Sequence, residues 1–164
     1  EATNTAQIDI KGFGTPGSRV RLYLDSGEPL QTIDVSNDGS FTFANVALNL
    51  GTNNIYGTTL DEGGKESLPS KVIKLIYINE KPPLNISSPG DNTIIQGGDK
   101  KVTVSGTTNA GVQVFVNGSQ IIVQKDGNFS TDLAINEGDN IISIKAVDLA
   151  SNSTEIQRKI TYKP

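Results

Sequence analysis

Val114-Phe115-Val116-Asn117-Gly118-Ser119 is the stretch that decides the fold of this chain. Val114 and Val116 stand two apart, the period at which side chains of a strand return to the same face. Asn117-Gly118 follows at once. That dipeptide tolerates the positive φ angles of a type I′ turn, so the stretch reads as a strand entering a two-residue hairpin. Working outward, Asp126-Gly127-Asn128 marks a second tight turn, leading into Phe129. Residues 141–147 and 156–162 read as later strands, and Val102-Thr103-Val104 alternates ahead of them all. No stretch has the 3.6-residue period of a long amphipathic helix.

The same landmarks occur earlier in the same order. Gly12-Phe13-Gly14-Thr15-Pro16-Gly17 matches Gly106-Thr107-Thr108-Asn109-Ala110-Gly111, and Asp38-Gly39-Ser40-Phe41 matches Asp126-Gly127-Asn128-Phe129. Asn49-Leu50-Gly51-Thr52-Asn53-Asn54-Ile55 matches Asn136-Glu137-Gly138-Asp139-Asn140-Ile141, with one extra residue in the first copy, and Tyr77 matches Tyr162. A repeat of about 80–90 residues is the size of a small domain, too long for a solenoid unit. With about seven short strands per copy, the expected fold is all-β: two tandem immunoglobulin-like antiparallel β-sandwiches, with a small barrel as the structural alternative. The expected limits are 1–79 for the first, 80–83 for a Pro-rich linker, and 84–164 for the second. Pro82-Pro83 favours an extended, stiff joint. Residues 84–100 have no counterpart before Ile8, so the first copy is expected to lack its first strand or to draw it from upstream. The first copy also lengthens its hairpin between Leu24 and Asp38, with Asp25-Ser26-Gly27 in place of Asn-Gly.

Composition narrows the function. The 164 residues carry 14 Lys and Arg against 18 Asp and Glu, a net charge of −4, which disfavours nucleic acid and anionic membranes as partners. No apolar run reaches membrane-spanning length. Cysteine, methionine and tryptophan are absent, and the chain starts at Glu1. It therefore reads as a mature fragment or excised piece, with any signal or anchor outside it.

The second copy reads Val102-Thr103-Val104-Ser105-Gly106-Thr107-Thr108, then Asp126-Gly127-Asn128-Phe129, Glu137-Gly138-Asp139-Asn140-Ile141, and Ala146-Val147-Asp148-Leu149-Ala150-Ser151-Asn152. In this it resembles the bacterial immunoglobulin-like domains found in strings on surface proteins, including the domain-B type of glucodextranase. The resemblance covers nearly all of the second copy and the first more loosely. It implies an extracellular or cell-surface spacer, adhesion or accessory role, with neighbouring domains of a larger chain as partners and a surface protein or glycan as a further one. Its motifs mark turns and core positions, and fold does not by itself imply function.

Candidate chemistry is sparse. Without His or Cys, the usual zinc sites and the Ser-His-Asp and Cys-His nucleophile systems are excluded. No cofactor or catalytic residue is expected, and calcium is the one metal considered. Hard oxygen ligands for it occur at Asp61, Glu62, Asp148 and Asn152, although Asp148 and Asn152 also read as turn caps. Alternation places Tyr23 and Phe115 on the solvent face, and with Arg19 and Arg21 they form the candidate contact surface. Phe41 and Phe129 are expected in the core. Lys74, in an apolar strand, is the best donor candidate for the Lys-Asn crosslink known in some bacterial surface domains, while alternation also allows it simply to face solvent beside core neighbours. Three readings follow. The chain is a non-enzymatic spacer or adhesion module, or a carbohydrate- or protein-binding accessory module of a secreted enzyme, or, if carboxylates converge in a cleft, an enzyme.

Overall fold

The computed structural model describes residues 1–25 and 27–164. The chain divides into two compact units, Glu1–Asn79 and Glu80–Pro164, and no helix occurs among the described residues. Ser26 of the expected Asp25-Ser26-Gly27 turn lies outside them.

The second unit is built from β8 (Leu84–Ser88), β9 (Thr93–Gln96), β10 (Lys101–Thr108), β11 (Gln113–Val116), β12 (Ser119–Ile121), β13 (Asn128–Ala134), β14 (Gly138–Val147) and β15 (Ser153–Lys163). They form a three-stranded sheet in the order β13-β10-β8 and a five-stranded sheet in the order β12-β11-β14-β15-β9. All pairings are antiparallel except β15 with β9, where Ile160 stands opposite Thr93. The expected hairpin is present: Val116 pairs with Ser119, and Asn117 and Gly118 have φ of 47° and 82°. Between the sheets Val104, Val114, Ile142, Ile144 and Ile160 are fully buried. These are the alternate positions of their strands, as the two-residue period requires.

The first unit repeats this plan with β1 (Ala2–Thr3), β2 (Gln7–Phe13), β3 (Arg19–Leu24), β4 (Gln31–Asp34), β5 (Ser40–Ala47), β6 (Gly51–Leu60) and β7 (Ile73–Tyr77). Its larger sheet runs β1-β7-β6-β3-β4, with β1 parallel to β7 as β9 is to β15. Among the described residues its smaller sheet is made of β2 and β5. By pairing, β2 corresponds to β10 and β5 to β13: Gly12 faces Phe41 where Gly106 faces Phe129. A Cβ on Gly12 would lie 2.4 Å from the Phe41 ring and one on Gly106 2.7 Å from that of Phe129, so both glycines are required for the ring to cross the strand. Among the described residues of the first unit β8 has no counterpart.

Two polar devices explain the repeated motifs. Asn53 Nδ2 donates to the carbonyls of Asn49 (2.8 Å) and Gly51 (3.0 Å), while its Oδ1 accepts from Asn49 N (2.8 Å). Asn140 makes the same three bonds to Asn136 and Gly138. Each side chain thus stands in for a ladder partner at the corner entering β6 or β14. Asp38 and Asp126 accept from the backbone N–H of Ser40 (2.9 Å) and Asn128 (3.0 Å), closing the Asp-Gly turns. Those N–H bonds hold both carboxyls below their ordinary value. Gly127, at φ 85°, lies so close to β10 that a Cβ would come within 2.0 Å of Thr108 O.

Element lengths differ from the expectations where pairing, not local pattern, sets the end. The last strand, expected over 156–162, runs Ser153–Lys163 because its ladder with β14 continues to Ser153 opposite Val147. Its equivalent, expected over 71–78, is only Ile73–Tyr77. Ahead of it Ser67 N donates to Thr59 O and Ser70 N to Gly57 O, and the Ser67 and Ser70 hydroxyls accept from the N–H groups of Thr59 and Gly57. Serine side chains here replace ladder partners around Pro69, which has no N–H to give. Pro82 and Pro83 fall in the second unit, where their carbonyls accept from Thr154 Oγ1 and Thr108 Oγ1, each at 2.6 Å.

Asn53 is fully buried, so Asn53→Ala leaves several backbone groups without partners and is expected to cost the first unit about 2–3 kcal/mol. Asn140 is half-buried and water can replace its amide, so Asn140→Ala is expected to cost the second unit about 1 kcal/mol. Calorimetric melting of the two variants checks both the sizes and which transition moves.

Candidate functional site

The candidate contact residues of the first unit lie on one face of β3. Arg19, Arg21 and Tyr23 alternate there, opposite Asp34, Thr32 and Tyr56 on the neighbouring strands. Tyr23 and Tyr56 are a cross-strand pair with parallel rings, 4.9 Å between centroids and 2° between planes. The Tyr23 hydroxyl donates to Glu66 Oε1 (2.7 Å), Thr58 Oγ1 donates to the same oxygen (2.5 Å), and Arg21 Nη1 donates to Oε2 (3.0 Å). The hydroxyl of Thr58, then that of Tyr23, and then the charge of Arg21 hold the Glu66 carboxyl below its ordinary value. Arg19 is exposed and takes no part in the bonds to Glu66. Phe115 occupies the position equivalent to Arg21 but in the second unit, half-buried opposite Lys145 and Gln120. The structure therefore brings together Arg21 and Tyr23 and adds Tyr56, Thr58 and Glu66.

Tyr56 could have been found from register, since antiparallel pairing of 19–24 with 55–60 places it opposite Tyr23. Glu66 carries no such signal. It reaches the sheet through a single bridge with Leu60, in a segment with no regular period.

The calcium candidates occupy two separate loops, one in each unit. Asp61 Oδ1 accepts from Lys65 N (2.8 Å), and Gly64 N donates to Asp61 O (2.9 Å), closing the Asp-Glu-Gly-Gly turn. Glu62 is exposed in that turn. Asp148 Oδ1 accepts from the N–H groups of Ala150 (2.9 Å) and Asn152 (2.8 Å), and its Oδ2 accepts from Asn152 Nδ2 (2.9 Å). These carboxylates cap their own loops. Among the described residues, no three acids gather as a metal site would need. Glu66 is thus held by two hydroxyls and a guanidinium. Lys74 is exposed on β7, the solvent-facing placement that alternation allowed for it, and not the buried amine that the crosslink needs.

One flank of the first unit is open. A cavity of about 300 Å³ runs between β2 and the strands β6 and β7, with Ile10, Phe13, Phe41, Leu68 and Ile73 on its walls. Ile8 and Ile10 are only half-buried, whereas Val102 and Val104, their equivalents in the second unit, are 8% and 0% exposed. Phe41 is likewise half-buried where Phe129 is buried.

Two sheets, antiparallel within each unit apart from one parallel edge and enclosing an aliphatic core, define an immunoglobulin-like β-sandwich. The chain belongs to the family described as glucodextranase, domain B, whose model matches residues 82–163. It is 31% identical over 154 residues to bacillopeptidase F of Bacillus subtilis (strain 168), a match that covers 93% of this chain and 10% of that protein. It is 28% identical over 79 residues to amylopullulanase of Thermoanaerobacter thermohydrosulfuricus, covering 48% of this chain and 5% of that one. The chain thus spans a tenth or less of the length of these relatives. The fibronectin(III)-like modules of Clostridium thermocellum CbhA share the fold, at a TM-score of 0.57 and 21% identity over 99% of this chain and 89% of theirs. No helix of the described residues is long and apolar enough to cross a membrane.

A carboxyl with a lowered folded-state pKa adds stability above its ordinary value, here 4.5, and loses it as pH falls through the folded value. Glu66→Gln is therefore expected to lower the melting temperature of the first unit at neutral pH. The gap to the unaltered chain should close as the solution is acidified below the ordinary carboxylate range. A gap that persists unchanged into strong acid would show that ionised Glu66 does not hold Arg21 and Tyr23.

Proposed function

We propose that this chain is a non-catalytic module of a larger extracellular protein and that it holds the neighbouring domains of that protein at a fixed spacing. The observation that carries this reading is that the turn carboxylates are engaged in the fold itself. Asp38, Asp61, Asp126 and Asp148 each accept backbone N–H groups of their own loops, so they act as fold formers and not as a converging catalytic set. The short share of each long relative that the chain matches supports a part played within a bigger polypeptide. Placement outside the cell accords with the surface proteins whose domains it resembles.

A second reading, an accessory module that binds a carbohydrate or a protein, is favoured by one observation, the stacked Tyr23–Tyr56 pair on the outer sheet face. Retardation in polysaccharide gels that Tyr56→Ala abolishes is its test for glycans.

The chain has no cysteine, so two introduced ones label it uniquely. Spin labels at Thr42→Cys and Lys101→Cys, exposed positions in the first and second unit, are expected to give one narrow distance distribution by pulsed dipolar spectroscopy. A broad distribution, as from a freely jointed pair, would rule out the spacer role.

A further inference from the structure

The outer face of the larger sheet in the second unit carries a shallow depression of about 440 Å³ between β11 and β14. Alternation sends Gln113 and Phe115 to this face from β11, and Ser143, Lys145 and Val147 from β14. Lys145 stands opposite Phe115 and Val147 opposite Gln113, while Gln120 of β12 flanks Phe115 on its other side. The surface dips because Gly118 and Ser143, which also line it, are small. Phe115 and Val147 are half-buried and form an apolar floor, and Gln113, Gln120 and Lys145 are exposed around it. Glu155 lies opposite Lys145 on β15 and accepts from Ser143 Oγ (2.7 Å). One cation therefore has one carboxylate as its neighbour, and the site carries no net charge. The first unit differs at this position. Arg21 stands where Phe115 does, opposite Thr32 and Thr58, and is bonded to Glu66. The ring in the depression is thus particular to the second unit.

We propose that this depression binds one ring of a neutral glycan chain, with the pyranose lying on Phe115. Ligand sites pair an apolar, often aromatic floor with a few convergent polar groups. A pyranose has the complementary surface. Its C–H groups form an apolar face that suits the electron-rich face of an aromatic ring. Its hydroxyls surround that face, each able to donate and to accept. The amides of Gln113 and Gln120 also do both, and Lys145 donates. An apolar peptide side chain would cover the floor but leave these rim groups desolvated without partners. An anionic ligand would meet Glu155 beside Lys145. A neutral, hydroxylated ring is what this pattern of charge and hydrogen-bonding groups accepts. The proposal rests on the accessory-module reading and places a contact in the second unit, apart from the Tyr23–Tyr56 pair.

The test is a nuclear magnetic resonance titration of the intact chain. The probes are cellotetraose and maltotetraose, neutral glucans of opposite anomeric linkage, and tetragalacturonate, an anionic chain of the same length. A shallow one-ring site binds in the millimolar range, so each probe is taken to about 10 mM. The backbone amides of Phe115, Gln120 and Lys145 are expected to shift along a saturating curve with at least one neutral chain. Phe115→Leu keeps apolar volume without the aromatic face and is expected to weaken binding about fivefold. Phe115→Tyr keeps the ring and is expected to retain it. Unshifted amides at this site with both neutral chains, equal binding by the Phe115→Leu chain, or tighter binding of tetragalacturonate would overturn the proposal. Shifts confined to Tyr23 and Tyr56 would also overturn it, while leaving the accessory-module reading in place.

Discussion

Each unit depends on one constraint: two sheets must cover a shared aliphatic core from both sides, and the edge strand of the smaller sheet decides whether the cover is complete. Hydrophobic stabilisation scales with the apolar area taken out of water. In the second unit β8 closes the flank, and Val102, Val104 and Phe129 are buried beneath it. In the first unit the same positions are Ile8, Ile10 and Phe41, and each remains half-buried. Ile8 and Ile10 are each one methylene larger than Val102 and Val104, and they are still less enclosed. The shortened β7 compounds the effect, because residues ahead of Ile73 follow the sheet through serine hydroxyls rather than through a continuous ladder. The two units are thus one architecture at two degrees of closure.

Most of the shared plan was legible because it rests on short-range rules. Alternation located the core faces of β3 and β11. Asn117-Gly118 located the hairpin by its dihedral demands, and the Asp-Gly pairs located the turns into β5 and β13. The repeated Asn of the Gly-x-Asn-x motif was legible as a landmark, and the structure supplies its reason: an amide that bonds three backbone groups at a corner. Strand ends were less legible. They depend on how far a distant partner continues, as the extension of β15 along β14 illustrates.

The outer-face cluster shows the same division. Arg21 and Tyr23 could be placed on the solvent side from their own strand. Tyr56 and Glu66, which complete the cluster, come from elements whose approach is fixed by non-local pairing and by one isolated bridge. Asp61 and Asp148, read as oxygen ligands, accept N–H groups of their own loops, since an Asp at the start of a turn satisfies nearby N–H groups whether or not an ion is present. The two copies diverge most in residues 61–72, while the landmarks they share account for folding.

The central claim, one sandwich closed and the other open, is tested most directly by hydrogen exchange of both units along a urea series. Protection in β2, β3 and β6 is expected to collapse at a lower denaturant concentration than protection in β10, β11 and β14, giving two separate transitions with the first unit opening first. A single shared transition, or a first unit that outlasts the second, would contradict the account.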